Sequence, residues 1–418
     1  MRKISKYSFG VGDRFGHQGK AQLKAFIAAK EQLGIEFTPV WNKSNREHSI
    51  IGTAPDDVRK EADHVTSLLG FSKPYFVDAD HINSDTVDRF IDSSDFFTVD
   101  VASYIGMKAD ESEIEKFLSG AMKYTGDLKL PAINKSLTVT KSHLKEIALK
   151  YLFATRKAGE LFRKIESLKG PGNFVTEISM DEVPLPQTPV ELFFILKMLH
   201  EEDIPLATIA PKFSGRFNKG VDYEGDISQF ASEFEADLMV ISLAVQEFGL
   251  PENLKISVHS GSDKFSIYPV IGSLIQKHDK GIHVKTAGTT WLEEVTGLAE
   301  SGDEALSFVK DLYVNALDRM EEFCAPYTDV IDIKKSALPK ATEVMGWDGK
   351  RFADSIRHIP DNKYYNRDMR QLIHISYKLA ADQIDKFNQL LDKNREVVSL
   401  CVYENIYHRH ICRLFDIK

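Results

Sequence analysis

The chain has 418 residues, 43% hydrophobic and 28% charged, a globular composition with ample material for a large core. Its formal net charge of −9 argues against nucleic acid and anionic membrane as partners. Three cysteines, Cys324, Cys401 and Cys412, are never spaced as C-x-x-C, which excludes a thiolate metal site and fits a reducing compartment, the cytoplasm.

The basic start MRKISKYSFG lacks the apolar stretch of a signal peptide, and no uninterrupted apolar run could span a membrane. In chain order, short β-rich runs end in polar or glycine residues and longer amphipathic stretches follow. YSFGVGD from Tyr7 precedes a helix predicted after Gly16 (AQLKAFIAAKEQL), and EFTPVWN from Glu36 precedes one beginning near Asp56. YFVDADH from Tyr75 and FTVDVAS from Phe97 complete the first four strands. Residues from about Tyr104 to Asn173 read as mostly helical and interrupt the repeat, as a cap over the mouth or as a surface through which barrel enzymes form homo-oligomers.

VTEISMDE from Val175 leads into PVELFFILKMLHEED, whose start carries Thr188 as N-cap, Pro189 in the first turn and Glu191 closing a capping box. LATIAPKF from Leu206, KISVHSGSD from Lys255 and IHVKTAG from Ile282 bring the strands to eight. Alternating βα units predict parallel strands, and eight of them predict a closed (β/α)8 TIM-type barrel of the α/β class rather than an open doubly wound sheet. The barrel is assigned to 1–302, with the insertion at about 104–173, and 303–418 to a helical C-terminal extension broken near Pro339 and Pro360.

In such a barrel, polar residues at strand C-termini share one mouth. Here those positions hold Asp13 with His17, Asn42, Asp78 with Asp80 and His81, Asp100, Glu177, Asp181 and Glu182. Later strands add Lys212, His259, Asp263, Lys264, His283 and Lys285. A solvated rim would explain any one of these; as a set they are better explained by a catalytic mouth. His259 and His283 end neighbouring strands and His81 follows the third. Imidazoles with one or two carboxylates suit a borderline divalent ion such as Zn²⁺, Mn²⁺, Co²⁺ or Ni²⁺.

His408 and His410, two apart in a predicted helix, face different sides and are expected on the surface. In TAGTTWLEE after Lys285, Thr290 and Glu293 read as a capping box. With Gly261, Ser262 and Lys264 of HSGSDK, that end of the barrel is expected to hold a carboxylate or phosphate. No G-x-G-x-x-G follows a strand, and neither G-x-x-x-x-G-K-[ST] nor G-x-S-x-G occurs, so nothing supports a bound nicotinamide or a serine nucleophile.

The pieces FGVGDRFG, FVDADH, ISMDE, KGVDYEGD, ISVHSGSDKFSIYP, HVKTAGTTWLE and RQLIHISY, in this order from about Ser8 to beyond Tyr377, resemble the tagaturonate epimerase family of bacterial hexuronate catabolism. The resemblance implies a metal-dependent barrel enzyme that interconverts D-tagaturonate and D-fructuronate, small sugar acids. It implies His81, His259 and His283 as metal ligands, and Glu177 completes the expected set. Asp181 and Glu182 would supply a further ligand, an acid/base group, or both. Glu47, in SNREH, matches the second acid/base. Lys264 and Lys285 would serve the substrate carboxylate, with Asp13, Lys212 and Ser260 as further expected substrate contacts. The chain departs from the pattern in two ways. Members carry a long stretch before the GDR motif, and Lys212 stands where an arginine is expected, whose bidentate fork a lysine does not reproduce.

The inverted carbon lies β to the ketone, so enolisation does not acidify its C–H. Retro-aldol cleavage, with a base taking the β-hydroxyl proton, meets that constraint, and direct deprotonation and reprotonation by paired carboxylates is the rival. Alternatives are an isomerase or epimerase of another sugar acid, an aldolase that releases its fragments, and a non-catalytic barrel that binds a sugar acid.

Overall fold

Each predicted β-run forms a strand of one closed parallel barrel, buried on both faces between the barrel interior and the outer helices. The computed structural model describes residues 3–286 and 288–417; Ala287, inside the HVKTAGT piece, lies outside the described residues. The strands are β1 (Tyr7–Gly12), β2 (Phe37–Ser44), β3 (Phe76–Ile82), β4 (Phe96–Asp100), then, after a two-stranded hairpin β5 (Gly126–Lys129) and β6 (Ser136–Val139), β7 (Val175–Ser179), β8 (Leu206–Ala210), β9 (Lys255–Val258) and β10 (Ile282–Thr286). β10 pairs with β1 (Phe9 opposite Val284) and so closes the barrel in the order β1-β2-β3-β4-β7-β8-β9-β10. All eight predicted strands are present.

The outer helices begin with α1 (Gly19–Leu33), α2 (Asn45–Ile51), α3 (Pro55–Leu68), α4 (Glu111–Ala121) and α5 (Lys141–Lys169). They continue with α6 (Pro189–Glu201), α7 (Ile227–Phe248), α8 (Tyr268–Lys277) and α9 (Thr289–Glu300). The cap read at Thr188 holds: its hydroxyl accepts from the Glu191 amide, and the Glu191 carboxylate accepts from Thr188 N. The cap read at Thr290 does not. Helix α9 starts after Gly288 without a side-chain cap, and Glu293 is instead bound to Arg409 and Asn405 of the C-terminal segment.

The insertion differs from expectation in two respects. It contains the β5–β6 hairpin, whose four-residue strands are too short to register as a period-two pattern. Its long helix α5 packs on α6 and β4, in the outer ring, instead of capping the mouth.

The C-terminal segment is helical as expected: α10 (Asp303–Asp318), α11 (Met320–Cys324), α12 (Ala341–Met345), α13 (Gly349–Ile356), α14 (Arg367–Ile375), α15 (Lys378–Ala381), α16 (Ile384–Lys393) and α17 (Arg395–Glu404), then a π-helical run Asn405–Cys412. Pro339 and Pro360 fall in its breaks. It builds a second apolar core on α9, with Trp291, Leu292 and Val295 meeting Phe308, Phe352, Leu372 and Phe387. His408 is exposed as expected, but His410 is buried and accepts a hydrogen bond from Asp263 N at 3.2 Å. The sequence offers no partner for an inward-facing histidine there, because that partner lies 147 residues away.

Asp263 anchors this segment to the barrel. Its carboxylate meets Arg370 (2.5 Å), with His358 and His410 at 4.0 and 3.9 Å. Burial opposes its ionisation, but Arg370 and the two histidines outweigh burial and hold the carboxyl well below its ordinary range. A depressed carboxyl contributes stability above its unfolded value of about 4 that is lost as pH falls. Asp263→Asn is therefore expected to have a lower urea midpoint than the parent at pH 7. The gap should narrow between about pH 5 and about pH 3; a gap that stays constant would deny the pair its electrostatic contribution. Among the described residues no helix is long and apolar enough to cross a membrane.

Candidate active site

The barrel interior is built in layers with the two-residue period of its strands. At the N-terminal end, Ile4, Val40, Phe76, Phe96, Val175 and Ala207 pack as an apolar plug. Two residues further along the same strands stand Asn42, Asp78, Thr98 and Glu177, all buried, and Lys285 reaches between them from β10. Its ammonium lies 2.7 Å from Asp78, 2.8 Å from Asp80, 3.0 Å from Glu177 and 2.5 Å from the Thr98 hydroxyl. Gly10 makes the room, since a Cβ there would stand 2.9 Å from Lys285 Cγ. Burial opposes the lysine's charge, yet the three carboxylates outweigh it and raise its pKa well above the ordinary value. Asp80 is pulled down to about 2, Lys285 and His81 overcoming burial. Asp78 is pushed up to about 7 by burial, with the neighbouring Asp80 and Glu177 carboxylates adding to it against Lys285.

Above this layer two imidazoles converge, His81 and His259, with ring centroids 4.9 Å apart. Each has one nitrogen bound to a carboxylate beneath or beside it. His81 Nδ1 lies 3.1 Å from Asp100, and His259 Nε2 lies 2.7 Å from Glu177. Glu177 is itself fixed by Thr98 (3.1 Å) and Thr208 (2.6 Å) hydroxyls. The second nitrogens face the cavity: His259 Nδ1 is 3.1 Å from Asp181, and His81 Nε2 is 4.0 Å from Asp80. Burial would lower both imidazoles, but the carboxylates outweigh it and raise His81 to about 10 and His259 to about 8. Asp181 is correspondingly held well below its ordinary range by His259 and His81, against burial. His81 (φ 50°) and Ser260 (φ 48°) are non-glycine residues in the left-handed region at the ends of β3 and β9. Such conformations cost about 1–3 kcal/mol each and cluster at functional sites.

The mouth opens as a cavity of about 300 Å³ lined by Glu47, His81, Asp181, Glu182, His259, Ser260 and Lys285, together with Arg14, Asn42, Asp80, Asp100, Lys219, His374 and Tyr377. An adjoining chamber of about 480 Å³ shares Asp181, Glu182, His259, Ser260 and Lys219 with it and adds Lys212, Phe213, Phe217 and Asn218. Glu47 closes the capping box of α2 through Ser44 and receives Arg14 Nε at 2.8 Å. The Arg14 guanidinium, in turn, donates to His374 O (2.8 Å) and lies 3.9 Å from the centre of the Tyr377 ring. Arg14 overcomes burial and keeps the Glu47 carboxyl below its ordinary pKa. Gly288 (φ 82°) permits this approach, because a Cβ there would meet His374 at 2.6 Å and Arg14 at 2.7 Å.

Three of the expected site residues are engaged elsewhere. Asp13 spends its oxygens on Gly16 N (2.8 Å) and Gln18 N (2.6 Å), stapling the loop after β1. Lys264 is buried and donates to three backbone carbonyls, Asn218, Val221 and Ser262. His283 lies a layer below the mouth, its Nδ1 2.9 Å from Ser8 Oγ, and burial pushes it down to about 3. Glu177 sits beneath His259, and Lys212 lines the adjoining chamber. Sequence reasoning misses Arg14, Lys219, Tyr327, His374 and Tyr377. Arg14 lies inside the FGVGDRFG piece, and His374 and Tyr377 inside RQLIHISY. Lys219 lies inside KGVDYEGD without a charged neighbour to single it out, and Tyr327 has no such signal.

Ligand atoms of His81, Asp181 and His259 all lie within 4.8 Å of one another, and so do those of His81, Asp100 and Glu182. Such nitrogen and oxygen groupings could hold a divalent ion.

The chain matches the tagaturonate epimerase family over residues 1–414. The tagaturonate/fructuronate epimerase of Thermotoga maritima is 28% identical over 432 residues, covering 100% of this chain and 82% of the relative. A glycerol-bound crystal structure of the fructuronate-tagaturonate epimerase from Cohnella laeviribosi matches with a TM-score of 0.80 at 25% identity, covering 98% of this chain and 81% of that one. Its native crystal structure matches with a TM-score of 0.79 at 24% identity, covering 99% and 82%.

Proposed function

The chain belongs to the tagaturonate epimerase family and is an isomerase-class enzyme, and on that premise we propose that it interconverts D-tagaturonate and D-fructuronate with a bound divalent ion. The observation that carries this reading is the arrangement of carboxylates around two imidazoles. Glu47 follows β2 and Asp181 follows β7, strands almost opposite one another in the barrel. Both are held ionised and can accept protons from opposite sides of one substrate.

His81, His259 and Asp181 fit the ion. Each imidazole has one nitrogen tied to a carboxylate and the other directed to the cavity, the arrangement in which outer carboxylates orient metal-ligating histidines. The raised pKa values of both rings reflect negative charge that protons partly offset and that a divalent cation would offset in their place. Bound there, the ion would supply Lewis-acid polarisation of the substrate ketone. His283 is too deep for this set, and Glu177 acts through His259.

The reaction is assigned to C–C cleavage and re-closure. The C–H to be inverted is β to the ketone, whereas its hydroxyl proton is accessible to a base. Glu47 takes that proton, the electrons of the O–H bond form the aldehyde, and the α–β bond breaks with its pair passing to the enediolate. The aldehyde turns, the bond re-forms on its other face, and the alkoxide recovers a proton. Glu182, at the rim, and Asp181 serve the enediolate side. Lys212, Ser260 and Lys285 line the space where the sugar acid is held.

Conversion of D-tagaturonate followed by NMR in D₂O, with and without EDTA, tests this. D-fructuronate should appear only without chelator and should retain hydrogen at the inverted carbon. Deuterium there would overturn cleavage in favour of deprotonation. No conversion with added Zn²⁺, Mn²⁺, Co²⁺ or Ni²⁺ would overturn the substrate assignment.

A further inference from the structure

The two lysines expected to meet the substrate carboxylate are both committed, Lys285 to three carboxylates and Lys264 to backbone carbonyls. A uronate entering this mouth still faces the charges of Glu47, Asp80, Asp100, Asp181 and Glu182. Its carboxylate needs a cation that is not already neutralised. Arg14 is paired with Glu47 and Arg216 with Asp332, Arg46 lies on the exposed rim over the Tyr327 ring at 5.0 Å, and Lys212 lines the adjoining chamber but not the mouth. Lys219 differs from these. It is half-buried, lines both the mouth and the adjoining chamber, and has no ion pair among the described residues.

Its backbone is also fixed to an unusual degree. Four consecutive carbonyls are each captured by a buried side chain: Asn218 O and Val221 O by Lys264 Nζ (2.9 and 2.7 Å), Lys219 O by Gln371 Nε2 (3.3 Å) and Gly220 O by Arg370 Nε (2.5 Å). Lys219 N donates to Val330 O at 2.8 Å. This support holds one lysine at the junction of two cavities. Beside it, Asn218 is 2% exposed, lines the adjoining chamber, and has an amide nitrogen without a partner among the described residues. An unsatisfied buried donor of this kind is a cost to the fold that a ligand oxygen would recover.

Building on the proposed uronate substrate, we infer that Lys219, with the Asn218 amide, is the subsite for the sugar-acid carboxylate, and that Lys264 and Arg370 are positioning residues acting through the 218–221 backbone. The lysine of the HSGSDK piece thus serves the carboxylate at one remove, by holding the loop that binds it.

Steady-state kinetics on the metal-loaded enzyme test the assignment, using D-tagaturonate and the uncharged ketohexose that carries CH₂OH in place of the carboxylate. Lys219→Met should raise KM for the uronate about 10- to 100-fold, the range expected for one charge-assisted contact, with a much smaller change in kcat. The preference for uronate over ketohexose should fall by the same factor, and Lys219→Arg should restore most of it. An unchanged KM, or equal losses on both sugars, would overturn the subsite while wild-type turnover left the epimerase reading intact. Failure of the wild type to convert D-tagaturonate would instead sink that reading. Lys219→Gln is read alongside; loss of fold in both variants would also count against the inference, because a lysine reserved for ligand contributes little to stability.

Discussion

Lys285→Met is expected to destabilise the protein by about 3–5 kcal/mol, the usual cost of removing one partner from a buried ionic cluster. The methylenes of the side chain are reproduced by methionine, so the effect isolates the ammonium. Without it, Asp78, Asp80 and Glu177 remain in the barrel interior without a cation in contact with all three. Burial already pushes Asp78 up to about 7 in the presence of Lys285, and removal of the lysine raises it further. The folded variant then binds a proton that the unfolded chain does not, so its stability falls as pH rises. Urea unfolding should accordingly show a larger deficit at about pH 8 than at about pH 6. A midpoint equal to the parent's at both values would mean that the cluster is solvated rather than sealed. Activity should fall too, since Glu177 loses a contact that fixes it under His259.

His81→Ala should abolish binding of the proposed divalent ion and lower kcat/KM by about a thousand-fold, the equivalent of the several kcal/mol that a Lewis acid contributes. His81 belongs to both groupings whose ligand atoms converge, so no alternative set survives its removal among the described residues. Its own hydrogen bond, to Asp100, is at the half-buried rim, so the fold should persist. Metal content by elemental analysis is the decisive readout, with the melting temperature as control. A variant that retains one equivalent of metal would move the ion to other ligands. His283→Ala is the companion measurement. That ring lies a layer lower against Ser8, so the variant should keep its metal, in contrast to the expectation drawn from sequence.

Periodicity and capping make most of the fold legible in the amino-acid sequence. Strands such as VTEIS and LATIA are buried on both faces, so each is a short run of mostly apolar or β-branched residues rather than an alternating one. The long helices announce themselves by apolar spacing and, at Thr188, by a complete capping box. What escapes is short or non-local. The β5–β6 hairpin contributes only four residues per strand. Glu293, expected as part of a helix cap, is taken by Arg409 from 116 residues away. His410, expected on the surface, turns inward because Asp263 and its loop lie beside it.

The candidate site divides along the same line. Chemistry at strand ends can be identified, because in a parallel barrel those ends share one mouth, and Glu47, His81, Asp181, Glu182, His259 and Ser260 do line it. Sequence order, however, says nothing about which polar group another residue has already claimed. Asp13, Lys264 and His283 have the right types at the right places in the chain, yet backbone amides, backbone carbonyls and Ser8 occupy them. By itself the sequence determined the barrel, the family and the kinds of group at its mouth, since these follow from local pattern and from the common direction of parallel strand ends. Only the tertiary structure decided which of those groups face the cavity unclaimed, because availability depends on hydrogen bonds and ion pairs between residues far apart in the chain, such as Arg14 with His374 and Lys264 with Asn218.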